Sequence, residues 1–322
     1  MNSKKTVSSK YDIAVVGEIN ADLILKGDIK PMFDQREQII ESATLTLGSS
    51  AVIFACGAVK LGASVAFIGK VGDDLFGNFM VESIKERGIN SSGIIKDPLV
   101  QTGLSVILDN NNNRAILTYP GAIPSLTYEE INFSLIAQCR HMHLSGYFLL
   151  DKLRPDIPRL FHKARELGLT ISLDTNYDPS EKWNDELKDT MSFVDVFLPN
   201  EVEALSITGK DVINEALSAL SKNISTVTIK LGARGAITTD TFSPVLNLNA
   251  VQVDVVDTVG AGDSFDAGFI YGYLKQWPLG DTLKLATACG TMSTLKAGGT
   301  TGQPTLEEAN QFIETHYLIK SN

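Results

Sequence analysis

The sequence predicts an α/β fold: a doubly wound, mostly parallel sheet with helices on both faces, plus a small β-sheet lid. Three observations lead there. Apolar strand-like runs alternate with runs of helical period along most of the chain, which implies a parallel sheet covered on both sides. Two segments, about 20–46 and 98–121, break that alternation with short extended stretches and polar turns. Inserted hairpins of this kind can form a separate sheet over the carboxyl ends of the strands, where α/β folds bind ligands. No Pro/Ser-rich linker divides the 322 residues, so residues 11–322 are expected to form one domain that carries both insertions.

In chain order, "YDIAVVGEI" (11–19) reads as a strand. "SAVIFACGAVKLG" (50–62) reads as a helix stopped at Gly62, and "SVAFIGKVG" (64–72) as the next strand. "DLFGNFMVESIKERG" (74–88) is a helix closed by glycine. "TGLSVILDNNNNRAILTYPG" (102–121) holds two alternating runs around four asparagines, a hairpin signal. "HMHLSGY", "TISLDTN", "VDVFLPN" and "TVTIKLG" then read as strands, with helical segments near 154–167, 181–193, 201–207 and 211–222. "AVQVDVV" (250–256) alternates with period two and predicts a strand. Phe265, Phe269, Ile270, Tyr273 and Leu274 recur at helical spacing after it.

Composition narrows the function classes. The hydrophobic fraction of 43% supports a full core, and the net charge of −10 opposes a nucleic-acid or anionic-membrane surface. The polar N-terminus lacks the apolar centre of a secretory signal, and glycines and Lys60 interrupt the apolar stretch 47–69, against a membrane span. Cys56, Cys139 and Cys289 form no CxxC pair, as expected of free thiols in a reducing compartment, the cytosol. His141 and His143 share a strand face without nearby acidic or thiol ligands, so they read as ordinary strand side chains.

The segment "VDTVGAGDSF" (256–265) sits between the predicted strand and helix. The first amides of a helix lack intrahelical partners and carry the positive end of its dipole. Gly260, Ala261 and Gly262 leave them open to an anion such as phosphate, and Asp263 stands where a carboxylate can take a proton from a hydroxyl. A helix-capping Asp after a glycine turn explains the same residues. The dinucleotide fingerprint fails because its third glycine falls on Phe265, and no Walker A spacing exists.

Taken together, these motifs resemble the ribokinase-like (phosphofructokinase B type) carbohydrate kinases, from about Tyr11 to about Glu308. The signature D-T-x-G-A-G-D stands as Asp257, Thr258, Val259, Gly260, Ala261, Gly262 and Asp263. "LGSSAVIFACGAVKLGASVAFIGKVGDDLFG" (47–77), "PNEVEA" (199–204) and "KLGARGA" (230–236) match in order. The resemblance implies ATP-dependent phosphorylation of a sugar hydroxyl, with Asp263 as base and the amides around Gly260, Ala261 and Gly262 stabilising the transferring phosphoryl. Asn200 and Glu203 would organise Mg²⁺ through water, although the same pair is a helix capping box. Asn20 and Asp22, on one face of a strand, would hold the sugar, with Gly48 letting the backbone approach. Arg114, Tyr119 and Asn176 would face the substrate. Lys230 and Gly232 would lie near the nucleotide, and Ala288 in "LATACG" (285–290) at the adenine. A monovalent cation such as K⁺ would sit beside Asp257 and Val259.

Leu47–Gly48 replaces the usual double glycine, Val52–Ile53–Phe54 lacks the expected Asn, and Tyr177–Asp178 follows Asn176 where some relatives carry Arg. A hexose, ketose or 2-keto-3-deoxysugar acid is therefore expected ahead of ribose. A nucleoside (adenosine-like) kinase and a non-catalytic sugar- or nucleotide-binding regulator are the alternatives. Homodimerisation through the exposed lid edge is expected.

Overall fold

The computed structural model describes residues 9–110, 113–183 and 186–318. The asparagine tip at 111–112 and the first eight residues lie outside them.

The chain opens with β1 (Tyr11–Val16), β2 (Asn20–Lys26) and β3 (Ser42–Leu47), then α1 (Ser50–Lys60), β4 (Val65–Gly72), α2 (Leu75–Glu86) and β5 (Asn90–Asp97). The hairpin β6 (Gly103–Asn110) and β7 (Asn113–Tyr119) follows, then α3 (Phe133–Ile136), β8 (Cys139–Ser145), α4 (Ile157–Glu166), β9 (Thr170–Asp174) and α5 (Glu186–Met191). After β10 (Val196–Phe197) come α6 (Glu201–Thr208), α7 (Ile213–Leu220), β11 (Thr226–Lys230), β12 (Ala236–Asp240) and β13 (Leu246–Leu248). The helices α8 (Ala261–Leu274), α9 (Leu279–Ser293) and α10 (Leu306–Ile313) close the fold.

Nine strands form the large sheet in the order β13-β12-β11-β10-β9-β8-β1-β4-β5, parallel except where β12 and β13 run antiparallel. Period-two alternation assigns its side chains to two cores. Ala14 and Val16 of β1 face α3 to α7, while Ile13 and Val15 face α1, α2 and α8 to α10. From β1 the chain winds outward through β4 and β5, then returns to lay β8 on the other side of β1. Strand order thus reverses between β1 and β8, and the crevice at their carboxyl ends is where an open α/β sheet accepts ligands. The small sheet, β3-β2-β6-β7, is mixed: β2 and β6 run parallel and its outer pairs antiparallel.

Residues 250–256 belong to neither sheet. Their alternation comes from an extended segment that runs along a cavity wall and has no ladder partner. Strands β5, β12 and β13 carry polar or short sequences, "NSSGIIKD", "AITTD" and "LNL", whose weak patterning hid them from the sequence reading. All three cysteines are buried and unpaired. His141 and His143 are buried on one face of β8, bonded to the hydroxyls of Thr170 and Ser172 at 2.8 Å, and the His143 ring stacks on Phe54 at 3.7 Å. Among the described residues no helix is long and apolar enough to cross a membrane.

Candidate active site

At the carboxyl edge of the large sheet lies a cavity of about 490 Å³. Its walls come from the ends of β9, β10 and β11, the extended segment 250–255, the start of α8 and one face of α9. Helix α8 starts at this edge because Gly260 takes the left-handed backbone (φ +70°) that turns the chain into it. A side chain at Gly260 would also press on Ile53 (2.8 Å) and Gly299 (2.9 Å). Ala261 does not contribute its amide as expected: that N–H donates to the Thr258 carbonyl at 3.2 Å, closing the turn. Among the described residues, the amides of Gly260, Gly262 and Asp263 have no protein acceptor and stand open at the helix start, a cradle suited to an anion. Asp257 braces the loop, accepting from the Val259 amide through Oδ1 and from the Gly298 amide through Oδ2, both at 2.8 Å.

Asp263 lies on the first turn of α8, 8% exposed, and lines the cavity. Burial, followed by the nearby Asp174, pushes its carboxyl well above the ordinary range, while the Ser50 hydroxyl and Lys230 pull the other way. A buried carboxylate of raised basicity beside bare amides is suited to accept a proton from an attacking hydroxyl.

The neighbouring charges are nearly all buried acids. Lys230, at the end of β11, places its ammonium 2.9 Å from Asp174 and 2.8 Å from Asp266. Burial alone would strip its proton, but the two carboxylates hold it firmly protonated. Asp174 is held low against its own burial by that ammonium, whereas burial keeps Asp266 high: one cation compensates one of the two acids. Lys230 therefore lines the cavity as expected, but its charge is committed inside the protein. Gly232 (φ +59°) also lines the wall. Asn200 and Glu203 form the capping box of α6, with bonds of 3.0 and 2.9 Å, and a third at 2.6 Å joins their side chains. Both line the cavity as well, and burial, then Asp174, lifts the Glu203 carboxyl to about 7. The capping box therefore stands at the cavity wall.

Asn176 adopts the left-handed region (φ +56°). The strain is offset by bonds that join three elements: its carbonyl oxygen accepts from the Gly146 amide (2.8 Å) and Ser145 (3.1 Å), and its amide donates to Ser50 (2.9 Å).

On the small sheet, the Asn20 side chain donates to Asp22 at 2.8 Å and to Ser105 at 3.3 Å, and Ser105 bonds Thr118 at 3.0 Å. Asn20 and Asp22 are buried, and burial raises the Asp22 carboxyl to about 6. Gly48 closes over them: a Cβ there would overlap the Asp22 carboxylate and stand 2.6 Å from the Asn20 amide. Ser105 and Thr118 escaped the sequence reading because only the register of β2, β6 and β7 brings them to this face.

Two expected contacts require correction, those of Tyr119 and Ala288. Tyr119 pairs with Leu104, one residue out of phase with Thr118, so it points to the opposite face and is 52% exposed. Arg114 shares the face of Thr118, and its guanidinium bonds Asp257 at 2.7 Å, which joins the small sheet to the glycine loop. Ala288 is fully buried in the core, while Thr287, Gly290, Thr291 and Thr294 at helical spacing supply the cavity face of α9. Ser50, Asp174, Phe265 and Asp266 complete the site without having been given a role in it: Ser50 and Phe265 lie inside quoted motifs, and Asp174 and Asp266 acquire their place only through Lys230.

Comparison with known proteins agrees with this geometry. Residues 10–306 match the pfkB family carbohydrate kinases. The chain is 29% identical to the ribokinase of Haemophilus influenzae over 94% of its length and 98% of that protein's. It is 30% identical to the 2-dehydro-3-deoxygluconokinase of Bacillus subtilis over 82% of this chain and 86% of that one. Among solved structures, an adenosine kinase from Sinorhizobium meliloti superposes with a TM-score of 0.81 at 25% identity, covering 94% of this chain and 99% of the other. An E. coli chain described as a ribokinase II, solved with ATP and Mg²⁺, superposes with a TM-score of 0.86 at 23% identity over 95% of this chain and 100% of its own, a likeness of fold. With the family matched over nearly its whole length and the sheet, loop and buried acid in place, the chain belongs to the pfkB family of carbohydrate kinases.

Proposed function

We propose that the chain transfers the γ-phosphoryl group of ATP to a hydroxyl of a neutral sugar, a hexose or ketose ahead of ribose. The observation that carries this reading is the position of Asp263, buried on the first turn of α8 beside the open amides of Gly260 and Gly262. In this reading the acceptor hydroxyl attacks the γ-phosphorus, its proton passes to Asp263 and ADP leaves. The amides hold the charge of the transferring group. The cavity, with apolar walls from Val251, Val253 and Phe265 and a threonine-lined face of α9, suits the nucleotide. Glu203 and Asn200, polar and at the cavity wall, suit Mg²⁺ held through its waters; the ion would supply charge compensation at the phosphates.

Asn20, Asp22, Ser105 and Thr118 form a neutral-to-acidic polar face that suits sugar hydroxyls. Asp22 bonds Asn20, and among the described residues no cation pairs with it. An acceptor carboxylate would meet this charge unscreened, which places sugar acids behind neutral sugars. A monovalent cation at the carbonyls of Asp257 and Val259 remains part of the proposal and is tested by exchanging K⁺ for tetramethylammonium. The outer face of the small sheet exposes Leu45, Leu117 and Tyr119, in keeping with a dimer formed there; light scattering should report the mass of two chains.

The test is ADP release measured across neutral sugars, sugar acids and nucleosides. A neutral hexose or ketose should give the highest kcat/KM. Asp263→Asn should lower kcat by about 10³-fold while ATP still binds. Turnover within tenfold of wild type in that variant would refute the assignment.

A further inference from the structure

The interior around Asp263 is crowded with acids. Asp174 on β9, Asp266 one turn further along α8, Glu203 on α6 and Glu18 in the loop after β1 are all buried. Asp174 and Glu18 both disfavour a charge on Asp263, and Ser50 of α1 favours it. Among the described residues lining the cavity, Lys230 is the single cation. Its stem runs beneath the anion cradle: a Cβ added to Gly262 would lie 3.5 Å from its Nζ and 3.9 Å from its Cδ and Cε. Its ammonium ties α8 to β9 through the 2.8 and 2.9 Å bonds to Asp266 and Asp174, while its backbone amide holds the Pro199 carbonyl at 2.9 Å. A lysine with two of its three N–H donors held by buried carboxylates has its charge balanced inside the protein before any phosphate arrives. It is well placed to offset charge one turn from the reacting group.

We propose that Lys230, clamped between Asp174 and Asp266, is a positioning residue for phosphoryl transfer: its ammonium offsets the acids crowded around Asp263 and keeps that side chain able to accept a proton. The proposal rests on Asp263 being the base. It assigns Lys230 to the electrostatics of the acceptor's proton and not to nucleotide binding, and the two roles separate experimentally.

In Lys230→Met the acid limb of the kcat/KM profile should move up by about one pH unit and kcat at pH 7 should fall by as much as ~10-fold, because the remaining carboxyls lose their counter-charge. ATP affinity measured by calorimetry should stay within about threefold of wild type, since no phosphate contact is lost. Lys230→Met combined with Asp174→Asn removes the pair as a neutral unit. Its acid limb should return to within about half a unit of wild type, with kcat partly recovered. An unmoved limb in the single variant, a more than tenfold loss of ATP affinity in either, or a double variant no closer to wild type than the single would each overturn the proposal. Should the single variant fail to fold, the double decides: a wild-type limb supports the proposal and a raised one defeats it. Failure of the functional reading would show separately, as no ADP release by the wild-type chain with any acceptor, and would take this proposal with it.

Discussion

The two sheets hold their polar groups by opposite means. The large sheet is covered on both faces, and Asp174 and Lys230 at its strand ends lie together with Asp263 of α8 at the cavity, so burial and mutual charge set their ionisation. The small sheet carries Asn20, Asp22, Ser105 and Thr118 on one face and exposes Leu117 and Tyr119 on the other. Its polar face is held by hydrogen bonds across strands, from Asn20 through Ser105 to Thr118, and one ion pair, Arg114–Asp257, reaches the anion loop. The contrast teaches where change is tolerated. A charge altered in the large sheet is felt by every acid around it. The small sheet can be altered at the acceptor while the phosphoryl-transfer machinery stays whole.

The strongest way to break that contrast is Gly48→Ala. Gly48 lies between β3 and α1, and a Cβ there would run into the side chains of Asn20 and Asp22, so a methyl group must displace the pair. We expect about 2–3 kcal/mol of lost acceptor recognition, roughly 30–150-fold in acceptor kcat/KM. ATP affinity should change less than about threefold. An equal loss for both substrates would show that the sheets do not act separately.

Asp22→Asn sharpens the contrast through pH. Burial raises the Asp22 carboxyl from 3.8 to about 6. A raised acid favours folding while it is protonated, below its unfolded value, and that contribution disappears as pH rises through about 6. Above that pH the buried charge works against the fold, by at most about 3 kcal/mol for a two-unit shift. Asp22→Asn should therefore raise Tm at pH 8 and leave it nearly unchanged at pH 4. The acceptor KM should rise about tenfold at pH 8, where the lost acceptor is a carboxylate, and less at pH 5. Unchanged stability at pH 8 would mean that Asp22 pays no burial cost.

Those same residues show what was legible in the sequence. The loop from Asp257 to Asp263 could be read because small residues followed by an acid are chemically distinctive over a few positions. The pair Asn20 and Asp22 followed from strand period, which puts them on one face, together with the family resemblance, which gives that face a sugar. Ser105, Thr118 and the Arg114–Asp257 bond were hidden because they depend on the register of strands far apart in the chain; Arg114 and Asp257 are 143 positions apart. Ala288 and Thr287 are adjacent in sequence and point about 100° apart on the helix, and only the packing of α9 on α8 decides which one meets the cavity. Lys230 could be placed at the site from its motif, but its two ion pairs could not, because both carboxylate partners come from other elements. Residues 250–256 carry a strand's alternation without a strand's partners, a pattern that burial against one wall produces as readily as a sheet does.

Arg114→Met should give the smallest effect, and it tests the bond that joins the two regions. The guanidinium is 28% exposed, and Asp257 keeps the Val259 and Gly298 amides as donors when it is gone. Those donors, together with the guanidinium, hold the Asp257 carboxyl low against its burial. Loss of the partly screened pair should cost about 1 kcal/mol, a Tm shift of a few degrees at most. Its kinetic signature is the informative part. The bond runs from β7 to the start of the anion loop, so its loss should raise the KM values for acceptor and ATP together, each by about three- to tenfold, with kcat little changed. A change confined to the acceptor would make Arg114 a member of the sugar site after all. A kcat loss comparable to that of Lys230→Met would mean that Asp257 transmits charge to Asp263, and the separation between the two sheets would no longer hold.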